Sequence, residues 1–158
     1  NVVYVNSFSK TYAMTGWRLG YAVGPAPVIE KMGLLLQTIV SCTPAMLQHG
    51  AIAALKGPQP TPEWMKQFRE RRDVLVSGFN SHPKLKCVNP QGAFYAFPNI
   101  RDTGMTSQEF ADFALEELGI ALLPGTAFGP GGEGYVRLSY ATAIDDIRLA
   151  IQRLNEGL

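Results

Sequence analysis

The sequence predicts an α/β chain in two parts: strands and paired helices first, then, beyond one long helix, a compact α+β unit. Three observations carry this. Short β-branched and aromatic runs at 2–5 and 17–23 precede two stretches with apolar residues at helical spacing. One stripe, Trp64, Phe68, Leu75 and Phe79, marks a long amphipathic helix running to about Ser81. Beyond it, short strand-like runs alternate with two further helices.

Val2 to Val5 reads as a buried strand, Ser7 to Gly16 as a polar loop, and Trp17 to Val23 as a second buried strand stopped by Gly24-Pro25. From Pro27, Val28, Met32, Leu35, Leu36 and Ile39 recur at helical spacing. Pro44 opens a second helix with Leu47, Ala51, Ala54 and Leu55 on one face, ended by Gly57-Pro58. The stretch Gly57 to Pro62, with prolines at 58, 60 and 62, is the candidate hinge. On the long helix, Lys66, Arg69, Arg71 and Arg72 are expected to form a solvated face. Leu85 to Val88 and Ala93 to Phe97 read as strands around the Pro90-Gln91-Gly92 turn. Thr106-x-x-Glu109 is a capping box; it starts a helix with Phe110, Phe113, Ala114 and Leu118 inward and Gly119 as its stop. Ile120 to Leu123 and Tyr135 to Tyr140 are further strands. Thr142 or Asp145 can cap the last helix, whose inward face is Ile147, Ile151 and Leu154.

Composition removes several function classes. Of 158 residues, 46% are hydrophobic and 17% charged, with 14 Lys and Arg against 13 Asp and Glu. That near balance gives no electrostatic case for nucleic acid or an anionic membrane as partner. The longest apolar run, Met32 to Val40, is broken by Gln37 and Thr38 and is too short to span a bilayer. No secretory signal is visible, and Cys42 and Cys87 are too few for a disulfide framework, so a cytoplasmic setting is expected. The chain opens without Met inside a strand pattern, and is expected to be part of something longer.

Three motifs look functional and fail on context. Gly129-Pro130-Gly131-Gly132-Glu133-Gly134 matches G-x-G-x-x-G, but a strand follows where a dinucleotide site needs a helix, and Pro130 removes an amide. Ser7-Phe8-Ser9-Lys10 matches the S-x-x-K of acylating serine enzymes. Its companions S-D-N and K-T-G are absent, and Thr11 to Gly16 lacks the helical pattern expected after such a serine. His49, His82, Cys42 and Cys87 lack neighbours at metal-ligand spacing.

The informative segment runs from Ser7 to Tyr21. Two hydroxyls, Ser7 and Ser9, precede Lys10, and Arg18 follows eight residues on. A cation near an amine favours its neutral form, which can attack an aldehyde. Arg18 with Ser7 and Ser9 could hold a phosphate through charge-assisted hydrogen bonds. A phosphate anchor beside an imine-forming lysine is what pyridoxal 5'-phosphate (PLP) requires. Further on, Arg137 lies between Val136 and Leu138 in a predicted strand, where a guanidinium is costly unless an anion pairs with it. A substrate carboxylate and a structural ion pair both satisfy that requirement.

Ser7-Phe8-Ser9-Lys10-Thr11-Tyr12-Ala13-Met14-Thr15-Gly16-Trp17-Arg18-Leu19-Gly20-Tyr21 closely resembles the cofactor-lysine signature of class I/II aminotransferases, the aspartate aminotransferase-like, fold type I PLP-dependent enzymes. Gln91-Gly92-Ala93-Phe94-Tyr95 resembles the family's G-A-F-Y strand, and Leu123 to Gly129 its P-G-x-x-F-G loop. Gly134 to Ala141 is similar to its G-Y-V-R-L-S-F-A strand. The resemblance implies that residues 1–60 are the C-terminal part of the PLP-binding large domain, 61–82 a long connecting helix, and 83–158 the small α+β C-terminal domain. It implies that Lys10 binds the cofactor covalently, that Ser7 and Arg18 hold its phosphate with Ser9 as a further candidate, and that Arg137 grips the substrate α-carboxylate.

The implied activity is transfer of an amino group between an α-amino acid and a 2-oxo acid. The bacterial-type enzymes that use aspartate and other amino acids are the most similar, and a homodimer is expected. Related reactions in the family, such as C–S β-elimination, decarboxylation and ring closure, use the same lysine and arginine. The family's N-terminal part normally supplies the acidic partner of the pyridine nitrogen and the ring that stacks on the cofactor. Neither can be assigned to a residue here. The 158-residue chain alone is therefore expected to have little or no transaminase activity, and a non-catalytic chain is the alternative reading.

Overall fold

Strand β1, Tyr4–Ser7, pairs antiparallel with β2, Gly20–Val23, and every position of β1 is exposed. This computed structural model describes residues 2–59 and 61–158. The expected burial of both strands is not found. Their composition reports strand propensity, but the sheet has two strands; β1 is exposed throughout and β2 everywhere but at Ala22, with Phe8 packing on Tyr21. The first strand also starts two residues later than expected, because its register places Tyr4 opposite Val23 and Ser7 opposite Gly20. Gly20 is required there: a Cβ would lie 2.8 Å from the Asn6 carbonyl oxygen.

The segment expected as a loop instead holds a one-turn helix, α1, Phe8–Thr11, followed by a 3₁₀ turn, Thr15–Trp17. Ser7 caps α1, its Oγ accepting from the Ser9 amide at 3.0 Å. The helical ground for dismissing the S-x-x-K motif therefore fails, since this serine does open a helix; the missing companion motifs stand. Trp17 lies in the 3₁₀ turn and Arg18 adopts a left-handed conformation, φ +54°, which shortens the second strand to Gly20–Val23.

Helices α2, Ala26–Val40, and α3, Ala45–Lys56, follow, each entered through proline, as the sequence indicates. Phe8, Met14, Leu19 and Ala51 form the small core of this part. The apolar stripe of α2 is left uncovered, with Leu35 at 61% and Ile39 at 75% exposure. Pro60 of the candidate hinge lies outside the described residues.

Two compact units divide after Glu63. Helix α4, Thr61–Ser81, lies mostly in the second unit and buries Leu75 and Phe79, as its stripe requires. Its cationic face is not wholly solvated. Arg72 is half-buried, pairs with Asp73 at 2.8 Å and donates to the Pro90 carbonyl, and the Arg71 guanidinium lies over Phe68. Strands in this unit are shorter than expected: β3, Tyr95–Ala96; β4, Leu123–Pro124; and β5, Val136–Ser139. The sheet order is β3-β5-β4, all antiparallel, and residues 85–88 contribute only a bridge from Lys86 to Asn99.

Helix α5, Ser107–Glu116, has the reciprocal capping box of Thr106 and Glu109. Gly119, φ +66°, turns the chain so that the Ile120 amide donates to the Ala114 carbonyl. That wrap uses Ile120 and moves strand pairing on to Leu123. Helix α6, Ile144–Gly157, buries Ile147 and Leu154. Neither Thr142 nor Asp145 caps it: Ala143 holds that position, while Thr142 bonds Asp146 and Asp145 pairs with Arg148.

The core of the second unit gathers Leu75, Phe79, Ile100, Phe110, Val136 and Ile147 among others. Cys87 is in it, and burial pushes its thiol up to about 11, while Cys42 is exposed. Raising the pH from 9 to 11 ionises this thiol in the unfolded chain first, so its contribution to stability falls over that window. A thiol reagent at pH 8 is expected to label Cys42 rapidly and Cys87 only after denaturation. Equal native labelling of both would refute the packing described.

Candidate active site

Pairing of β1 with β2 brings the two ends of the Ser7–Tyr21 segment together. The Phe8 amide donates to the Leu19 carbonyl at 3.1 Å, which ties the start of α1 to the residue after Arg18. Ser7, Ser9 and Arg18 then line one open cavity of about 410 Å³, together with Asn6 and Tyr21, which the sequence did not single out. Ser7 Oγ and Ser9 Oγ lie 2.9 Å apart. Arg18 Nη1 donates to the Thr15 carbonyl at 3.2 Å, anchoring a side chain whose backbone is already in a strained region. Two hydroxyls and one guanidinium around a cavity suit a phosphate by the chemistry of the donors.

Lys10 is exposed and sits on α1, one helical turn from Ser7, rather than on a loop. It does not line that cavity itself.

Arg137 is half-buried in the second unit, on the central strand β5. Its guanidinium carbon lies 4.4 Å from the centre of the Tyr95 ring and 4.2 Å from that of Phe128. No described residue forms an ion pair with it, so the structural ion pair allowed by the sequence is not found. The two rings were missed as functional residues. The signal was present, because Tyr95 and Phe128 end the G-A-F-Y and P-G-x-x-F portions of motifs already singled out, but sequence cannot show which side chains point together.

The G-x-G-x-x-G match is a closed turn. Pro130–Gly132 forms a 3₁₀ turn leading into β5, and buried Ser107 Oγ donates to Gly132 O and accepts from the Gly134 amide. Glu133 Oε1 accepts from the Ser107 and Gly134 amides. No group of three potential metal ligands occurs among the described residues, and no helix of theirs is long and apolar enough to cross a membrane.

Known proteins match this chain along nearly all of its length. An aspartate aminotransferase of Pyrococcus horikoshii is 42% identical over 161 residues, covering 100% of this chain and 41% of that protein. Aromatic-amino-acid aminotransferase 2 of Thermococcus litoralis is 40% identical, covering 99% of this chain and 41% of that protein. The crystal structure of an aromatic aminotransferase from Pyrococcus horikoshii superposes with a TM-score of 0.92 at 43% identity, covering 98% of this chain and 42% of that one. The chain thus spans about two-fifths of the length of these relatives. The profile of the family described as aminotransferase class I and II matches residues 1–154. The chain belongs to the class I and II aminotransferase family.

Proposed function

We propose that the protein carrying this chain transfers an amino group between an α-amino acid and a 2-oxo acid with PLP as cofactor. Members of this family generally depend on PLP. The observation that carries the reading is the convergence of Ser7, Ser9 and Arg18 on one cavity, one helical turn from Lys10. Arg18 with the two serine hydroxyls holds the phosphate. Lys10 Nζ would hold the cofactor through its aldehyde carbon, the aldehyde oxygen leaving as water, and as a free amine it would take the proton from the substrate α-carbon. Arg137 orients the α-carboxylate through its planar fork, in the same way for any side chain. Bound PLP supplies the electron sink for the carbanion that this proton transfer creates.

In this reading residues 1–60 complete the cofactor domain, 61–82 connect, and 83–158 form the small domain. The active protein is a homodimer in the cytoplasm. Both strands of the first sheet and the stripe of α2 are then covered by other parts of the assembly. Aspartate is the first substrate to try, with aromatic amino acids next, as in the two kinds of relative named above.

The test is an assay of the complete protein with PLP, L-aspartate or L-phenylalanine, and 2-oxoglutarate. New amino acid is expected from the complete protein, and little or none from the 158-residue chain alone. Robust turnover by the isolated chain would show that no further part of the active site is needed. Absence of turnover across a broad panel of amino acids, with PLP bound, would overturn the aminotransferase reading.

A further inference from the structure

We propose that Tyr95 and Phe128 are positioning residues that hold the Arg137 guanidinium as a preformed carboxylate fork. This rests on the reading of Arg137 as the α-carboxylate ligand and goes beyond it, by assigning what aims the arginine. Topology brings the rings in from both flanks. Arg137 lies on the central strand; Tyr95 is on β3, and Phe128 ends the 3₁₀ turn that follows β4. Tyr95 is opposite Ser139, so it is the diagonal neighbour of Arg137 on the same face of the sheet. The motifs that precede β5 thus converge on one side chain.

An arginine side chain carries about 2 kcal/mol of rotamer entropy, which a mobile side chain loses when it engages a carboxylate. Here that freedom is already restricted by two aromatic faces within 4.4 Å of the guanidinium carbon. Rings attract the cation through their faces but accept no conventional hydrogen bond, so they hold the arginine without consuming its N–H donors. No described residue accepts a hydrogen bond from that guanidinium, and it has two rings over it where Arg71 and Arg101 have one each among the described residues. A half-buried fork held by rings and unpaired with protein oxygens is arranged for an outside anion. The shape that suits it is a planar carboxylate.

The rings themselves are braced. Phe97 lies 6.1 Å from Phe128 and stacks on Tyr135 at 5.4 Å, and Phe94 lies 4.5 Å from Tyr95. Removing either clamp ring should therefore loosen the arginine more than it disturbs the sheet.

The experiment uses the complete PLP-loaded protein and measures KM and kcat for an amino acid it turns over, together with the Kd of 3-phenylpropanoate, a carboxylate without an amino group. Tyr95→Leu and Phe128→Leu are each expected to raise KM and the Kd of 3-phenylpropanoate about tenfold, with kcat changed much less. Tyr95→Phe keeps the ring and should restore KM. Arg137→Lys separates the two levels of the argument. If Arg137→Lys weakens binding but neither leucine variant does, the clamp is wrong and the carboxylate reading stands. If Arg137→Lys leaves both KM and Kd unchanged, the carboxylate reading itself fails. A fall in kcat at constant KM, or Tyr95→Phe behaving like Tyr95→Leu, also overturns the positioning role.

Discussion

If Lys10 has the role proposed for it, Lys10→Ala in the complete protein is expected to lower transaminase turnover by at least about a thousandfold, because it would remove both the covalent anchor and the proton carrier. Borohydride reduction of the PLP-loaded protein, followed by proteolysis and mass spectrometry, should place the pyridoxyl label on the peptide containing Lys10. Lys31 on α2 and Lys56 at the end of α3 are the other lysines of this unit, and both are exposed surface residues. Label on either of them, with Lys10 clean, would remove the assignment. Lys10→Arg is the informative companion. It keeps the positive charge near the proposed phosphate ligands but stays protonated at any working pH, so it cannot form the bond. If charge alone retained the cofactor, Lys10→Arg would keep PLP tightly bound and lose turnover; Lys10→Ala would lose both.

The grouping of this candidate site is legible in the sequence because its residues are close along the chain. Ser7, Ser9, Lys10 and Arg18 lie within twelve residues, and a hairpin-like pairing of the flanking strands is enough to bring Ser7 and Arg18 to one cavity. The one-turn helix under Lys10 was not legible, since four residues leave no room for an apolar period. Capping at Thr106 and the stop at Gly119 were legible for the same reason of locality. What failed was long-range. The burial of β1 and of the α2 stripe depends on what packs against them, and hydrophobicity shows only that something should. Arg137 shows the same limit from the other direction. Its strand context demanded a partner for the cation, but only the three-stranded order reveals that two rings, rather than a carboxylate among the described residues, stand beside it.

Phe110→Ala should be among the most destabilising single changes in the second unit, at about 3–5 kcal/mol. Phe110 is 0% exposed on α5 and belongs to the cluster that includes Phe79, Ile100 and Val136. The lost ring leaves a cavity that a helix capped at both ends cannot easily collapse into. Leu115 on the same helix is 57% exposed, so Leu115→Ala removes a side chain of the same class without a cavity and should change stability by no more than about 0.5 kcal/mol. Denaturant midpoints of the two variants separate burial from helix propensity, which alanine favours in both. Equal midpoints would contradict the packing of α5. The effect also reaches the candidate site, because Val136 of that cluster immediately precedes Arg137 on β5. At temperatures where the Phe110→Ala protein remains folded, amino-acid KM should rise while borohydride labelling at Lys10 persists, since Lys10 rests on the separate core of Phe8, Met14, Leu19 and Ala51. Loss of the label together with affinity would mean that the two cores are not energetically independent.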